Sequence, residues 1–242
     1  MSRARLGILV SGGGRTALNI AERCRRAPSA FDGPQTACLA EKSPDLKSVD
    51  LKSVDRKSVD LESLDAEVAI VIAHREEAPA VARCRAAGLR VAVVPIAGEA
   101  GIASVEDRID AVLEAARVEL VCLAGYLRKF RVGDRWAGRA LNIHPGLLPD
   151  FGGHGMYGDR VHAAVLAADV RESGCTVHEV DGEYDRGPVV IERRCAVERG
   201  DTVESLAARV FRLECDAYPE AIARHLARLR AARVAPRMEC VR

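Results

Sequence analysis

The sequence predicts an α/β protein, with a mostly parallel central sheet, helices on both faces and an antiparallel addition in the C-terminal half. Three observations carry that prediction. Short apolar runs alternate with helical patterns of about twelve residues through the first half, as βαβ units require. The first run leads directly into a glycine cluster, Ser11-Gly12-Gly13-Gly14, placed between a strand and a helix. Beyond residue 141 the pattern changes, and two strand-like runs flank a turn at Asp185-Arg186-Gly187.

Taken in order, residues 6–10 read as the first strand and 16–26 as the first helix. Strands at 68–73, 90–94 and 120–124 follow. The first two of these precede helical patterns at 76–87 and 105–117, and the third precedes a short polar stretch. Leu141-Asn142-Ile143-His144 is extended and stops at Pro145. A helix is expected over 159–168, and paired strands over 175–180 and 188–197. The last helix takes Asp201 or Thr202 as its cap and carries Leu206, Val210 and Leu213 on one face. Residues 1–228 are expected to form one domain and 229–242 a basic tail. Residues 45–65 read DLKSV-DLKSV-DRKSV-DLESL-D, a five-residue period like that of pentapeptide repeats. Four repeats make only one coil, and a solenoid needs neighbours to bury its faces, so 42–65 reads as a solvated surface insertion.

Composition excludes several classes of function. The 242 residues hold 36 basic and 35 acidic side chains, a net charge of +1, and 48% are hydrophobic. A chain so apolar is not disordered throughout, and one so nearly neutral has no global field with which to coat nucleic acid or an anionic membrane. The longest apolar runs fall far short of a membrane span, and no signal-like segment opens the chain, so a cytoplasmic location is expected. Eight cysteines without a C-x-x-C pair read as buried reduced thiols, and the histidines show no metal-ligand spacing.

Three constellations have chemical potential. The Gly12, Gly13, Gly14, Arg15 and Thr16 segment offers close backbone approach and the unpaired amides of a helix start, which suit a phosphate, although a tight turn without a ligand uses the same residues. A dinucleotide fingerprint is not met, because positions 12, 14 and 17 are Gly, Gly and Ala, and His74 and Arg75, not an acid, follow the second strand directly. Asn142 and His144, two apart on an extended run, leave the same face of the sheet near its carboxyl end. An amide beside an imidazole there suits acyl chemistry, or simply closes a strand. Asp185 sits in a turn as an Asx cap does, and would raise the proton affinity of His144 if the two meet.

Together these segments, with Leu123-Ala124-Gly125-Tyr126-Leu127-Arg128, Gly155-Met156-Tyr157-Gly158, Ser173-Gly174-Cys175-Thr176-Val177-His178 and Tyr218-Pro219, resemble the phosphoribosylglycinamide formyltransferase family. The N-I-H-P-x-L-L-P element followed by D-x-G-P is specific to that superfamily; the glycine loop alone is not. The resemblance implies a Rossmann-like formyltransferase fold and transfer of the formyl group of 10-formyltetrahydrofolate, as cosubstrate, to the amine of glycinamide ribonucleotide in purine biosynthesis. It implies neither a metal nor nucleic acid, and a monomer or homodimer.

It further assigns Asn142, a protonated His144 and Asp185 to catalysis, supported by Thr176 and His178. The substrate phosphate falls at Gly12 to Thr16, with Gly146 and Leu147 beside it and Glu214 at the ribose and amine end. The pterin falls against Arg128, Lys129 and Phe130 and against Val180, Asp181 and Gly182. Superfamily members with an added RNA-binding barrel or regulatory domain fit the length less well. Three departures from the family pattern stand out. Gly13 and Thr16 replace residues that are often Asn, Glu179 puts a charge beside the folate loop where an aromatic or apolar residue is usual, and the repeat has no counterpart.

Overall fold

The structure is a computed structural model and describes residues 3–25, 63–96 and 102–234. Among these the elements run β1 (Ala4–Leu9), α1 (Arg15–Arg25), β2 (Ala66–Ala73), α2 (Pro79–Ala86), β3 (Val91–Val93), α3 (Ile102–Ala115), β4 (Leu120–Leu123), α4 (Gly133–Trp136), β5 (Ala140–His144), α5 (Asp159–Ala167), β6 (Glu172–Glu179), β7 (Val189–Ala196) and α6 (Val203–Val234). Most of the repeat lies outside the described residues. At its end, Leu64 is buried and gives its amide to the Arg23 carbonyl, while Asp65 pairs with Arg230 of α6 at 2.9 Å. α6 therefore runs past Leu229, with Arg230 tied to the body of the protein.

One seven-stranded sheet has the order β3-β2-β1-β4-β5-β6-β7. β3 through β5 are parallel; β6 and β7 join antiparallel, in the register Asn142↔His178 and His144↔Thr176. The chain builds outward from β1 to β3 and then returns to add β4 on the other side of β1. Neighbouring loops after β1 and β4 thus diverge, and a crevice opens at the carboxyl ends of the strands. The amide of Ser11 donates to the Gly125 carbonyl at 3.1 Å, and that of Leu127 to Ser11 Oγ at 3.0 Å, so the two loops are laced together at this point.

Alternation along β1 distributes its side chains to two cores. Leu6, Ile8 and Val10 pack with α1, α2, α5 and α6, while Leu9 packs with α3 and Trp136 on the other face. Gly7 faces α3, where a Cβ would lie 2.5 Å from Leu113 Cδ2, so glycine is what permits that helix to approach. Thr202 caps α6: its Oγ1 accepts from the Ser205 amide at 3.2 Å and its own amide donates to Ser205 Oγ at 2.9 Å. Leu206 and Val210 are buried beneath that helix, and Leu213 is half-buried. The buried Tyr218 hydroxyl lies 3.0 and 2.9 Å from the carbonyls of Leu123 and Leu141, anchoring α6 under the ends of β4 and β5. The six described cysteines are free thiols. No described helix is long and apolar enough to cross a membrane.

Candidate active site

The crevice holds a cavity of about 600 Å³. One end is lined by Gly12, Gly13, Gly14, Arg15 and Thr16 with Phe211 and Glu214 of α6; the other by Arg128, Lys129, Phe130, Val180 and Asp181; Asn142, His144, His178 and Asp185 stand in the wall they share. Thus the fold gathers the three constellations that are far apart in sequence. Four expected residues do not line this cavity. A Cβ on Gly146 would come within 2.8 Å of Val161 and 3.2 Å of His144 Nε2, and Leu147 is packed inside, so both shape the loop after β5. Thr176 ties that loop down, its hydroxyl donating to the Gly146 carbonyl at 2.8 Å and accepting from the Leu148 amide at 3.3 Å. Gly182 borders a second cavity.

Asp185 is the centre of the polar cluster. Its backbone takes φ +55°, in the left-handed region, which turns the carboxylate back over the sheet ends. Oδ2 accepts from the Gly153 amide at 3.0 Å and lies 3.5 Å from His144 Nδ1. Oδ1 lies 3.3 Å from Asn142 Nδ2 and 3.4 Å from His178 Nε2. Burial alone would raise its pKa, but its contacts with the His178 and His144 rings and with the Gly153 amide together hold it below the ordinary value of 3.8.

The geometry also fixes the histidine tautomers. His178 Nδ1 donates to the Glu179 carbonyl at 2.8 Å, which leaves Nε2 to accept from Asn142 at 3.1 Å and so orients that amide. His144 Nε2 donates to the Phe151 carbonyl at 2.7 Å, which leaves Nδ1 facing Asp185. The imidazolium expected of His144 during the reaction is not the form favoured at rest. Its side chain is 3% exposed, and that burial lowers its pKa by more than the Asp185 charge and the Phe151 bond raise it.

Several residues at the site carried no sequence signal. Arg83 of α2 donates to the Gly13 carbonyl at 3.0 Å, holding the glycine loop from below. His74 Nδ1 donates to the Val94 carbonyl, so its Nε2 accepts the Tyr126 hydroxyl at 2.8 Å and fixes that ring in the cavity wall. Phe211 could have been found, because Ala207, Phe211 and Glu214 are spaced four and three apart on α6 and all face the cavity. Its ring lies 4.3 Å beneath the Arg15 guanidinium. Arg15, the expected phosphate ligand, is thus braced by an aromatic face.

Burial pushes Glu214 from its ordinary 4.5 up to about 7, with only the Arg15 charge opposing. The folded chain holds this proton more tightly than the unfolded one, so stability falls as pH rises from about 4.5 through about 7. Glu214→Gln is therefore expected to be more stable than the parent at pH 8 by on the order of 1 kcal/mol, roughly 2–4 °C in Tm, and to match it near pH 5. Melting curves at the two pH values check this; an equal shift at both would contradict it.

A second cavity, of about 530 Å³, borders the first through Lys129, Phe130, Val180 and Asp181 and is also lined by Glu179. The charge of Glu179 therefore lies on the opposite side of β6 from the polar cluster, paired with Arg228 at 2.7 Å. No group of three or more His, Cys, Asp or Glu side chains suited to a metal ion occurs among the described residues.

A family model described as formyl transferase matches residues 47–222. The chain belongs to the formyl transferase family. Among its relatives in that family, the phosphoribosylglycinamide formyltransferase of Arabidopsis thaliana, a chloroplastic protein, is 38% identical over 161 residues, 64% of this chain and 54% of its own length. The trifunctional purine biosynthetic protein adenosine-3 of Gallus gallus is 36% identical over 159 residues, 65% of this chain; the matched region spans only 15% of that longer protein. Two solved structures superpose closely. A glycinamide ribonucleotide transformylase from Symbiobacterium toebii is 30% identical with a TM-score of 0.72, covering 93% of this chain and 89% of its own. A phosphoribosylglycinamide formyltransferase from Brucella melitensis is 31% identical with a TM-score of 0.71, covering 93% and 97%. The two solved structures share the mostly parallel, Rossmann-like sheet of this chain, and the Gallus gallus relative is named for purine biosynthesis.

Proposed function

We propose that this formyl transferase moves the formyl group of 10-formyltetrahydrofolate to the primary amine of glycinamide ribonucleotide. The observation that carries this reading is one cavity with an amide-rich glycine loop at one end, an Asn-His-Asp-His cluster in the middle and, at the other end, two loops that set Phe130 and Val180 among Arg128, Lys129 and Asp181. The phosphate sits on the amides after β1 and at the start of α1, with Arg15 beside it. Glu214 accepts from the ribose end. Cytoplasmic residence, a monomeric or homodimeric state and action without nucleic acid or a metal belong to the same reading.

In the reaction the amine nitrogen attacks the formyl carbon, and the carbonyl oxygen becomes an oxyanion. Asn142 stabilises it, exchanging its longer bond, the 3.3 Å contact with Asp185, for the new charge. His144, neutral at rest, takes the amine proton at Nδ1, directly or through water, and Asp185 stabilises the resulting imidazolium. Collapse of the tetrahedral centre breaks the bond to the folate N10, which receives that proton. Tetrahydrofolate and the formylated amide are the products.

Following 10-formyltetrahydrofolate with and without glycinamide ribonucleotide tests the reading. Formyl loss is expected only when the acceptor is present, with one formylated product for each tetrahydrofolate formed. Loss without the acceptor would instead indicate a hydrolase, and no loss with it would remove the proposal.

A further inference from the structure

Glu179 ends β6, where successive side chains point to opposite faces, so His178 joins the catalytic cluster while Glu179 lines the second cavity. Its side chain is only 13% exposed, and Oε1 is engaged by Arg228. Among the described residues Oε2 accepts no hydrogen bond. The wall beside it is Gly138, at φ +64°, where a Cβ would stand 3.8 Å from Oε2. Much of the remaining wall, including Phe130, Val132, Val180 and Pro188, is apolar. The carboxylate thus keeps an open acceptor at Oε2, and its ion pair is to an arginine that is itself 57% exposed.

A flat heterocycle with two adjacent N–H donors on one edge would complete such a pocket, since a carboxylate oxygen pair is the natural acceptor for that edge. We propose that Glu179 reads the 2-amino-4-oxo edge of the folate pterin, with the exocyclic amine and the neighbouring ring N–H donating to its carboxylate. This rests on the formyl-folate reading above. The two cavities share Lys129, Phe130, Val180 and Asp181 as a border, so a ligand lying across it holds its ring in the second cavity and its N10 formyl group in the first. The position that departs from the family's aromatic or apolar residue thereby becomes a specificity determinant.

The test compares two stable probes, 10-formyl-5,8-dideazafolate and its 2-desamino-2-methyl counterpart, by calorimetric titration. The wild-type protein is expected to prefer the 2-amino probe by roughly 10–100-fold. Glu179→Gln, nearly isosteric, should abolish most of that preference by weakening only the 2-amino probe. Arg228→Gln, which breaks the ion pair but keeps the carboxylate, should retain the preference. Undiminished discrimination in Glu179→Gln, or an equal loss in Arg228→Gln, would overturn the proposal. If wild-type protein binds both probes equally, the role of Glu179 falls and the formyl-folate reading stands; if it binds neither, both fall.

Discussion

Asp185→Asn is expected to lower turnover by roughly 10²–10⁴-fold while leaving affinity for glycinamide ribonucleotide within about threefold. The carboxylate receives the Gly153 amide on one oxygen and the Asn142 amide on the other, and faces two imidazoles. Asparagine keeps the shape but has one acceptor oxygen, so one of the two amide donors loses its partner, at about 1–3 kcal/mol of stability. Its larger cost is kinetic, because the imidazolium formed at His144 no longer has a counter-charge 3.5 Å away.

The same substitution moves the pH profile in a definite direction. Burial already lowers the His144 pKa, and the Asp185 charge is what resists that shift. Removing the charge lowers it further, so the acid limb of kcat should move to lower pH as its height falls. Steady-state kinetics between pH 5 and 8 separate this from mere misfolding. A variant with reduced turnover but an unmoved acid limb would show that Asp185 acts without His144.

How far the site was legible depends on which interaction placed each residue. Asn142 and His144 were readable as a same-face pair because a period of two is local, and the glycine loop because its position between strand and helix is local too. Asp185 needed the return of β6 beside β5, which brings Asn142 opposite His178 and the following turn over both. Asp185 does favour a proton on His144, as a neighbouring carboxylate announces, but residue identity does not announce the depth of burial that outweighs it at rest. Glu179 was expected as a charge beside the folate loop, with no face assigned to it. Strand alternation from His178 already assigns it to the other side, and it is the second cavity that gives that side a meaning. Arg83 and His74 act through contacts 70 and 52 residues away in sequence, to Gly13 and Tyr126, and no local pattern encodes such pairs.

Asn142→Ala is expected to reduce kcat by about 10²–10³-fold with little change in KM for either substrate, because the bond it supplies is made to charge that exists only in the transition state. The amide is held for that purpose: His178 Nε2 fixes one N–H at 3.1 Å, and the other rests on Asp185 at a longer 3.3 Å, available for exchange. Alanine leaves the contact between His144 and Asp185 in place, so this variant should retain the wild-type acid limb that Asp185→Asn displaces. The two substitutions nevertheless act on one connected cluster, since Asp185 Oδ1 is the acceptor that Asn142 leaves behind when it turns to the oxyanion. Their effects should therefore fall well short of additive, the double variant losing little beyond the worse single one. Single-turnover rates on the four proteins decide it: losses that multiply would mean that oxyanion stabilisation and proton transfer are independent devices, and that the shared Asp185 oxygen is incidental.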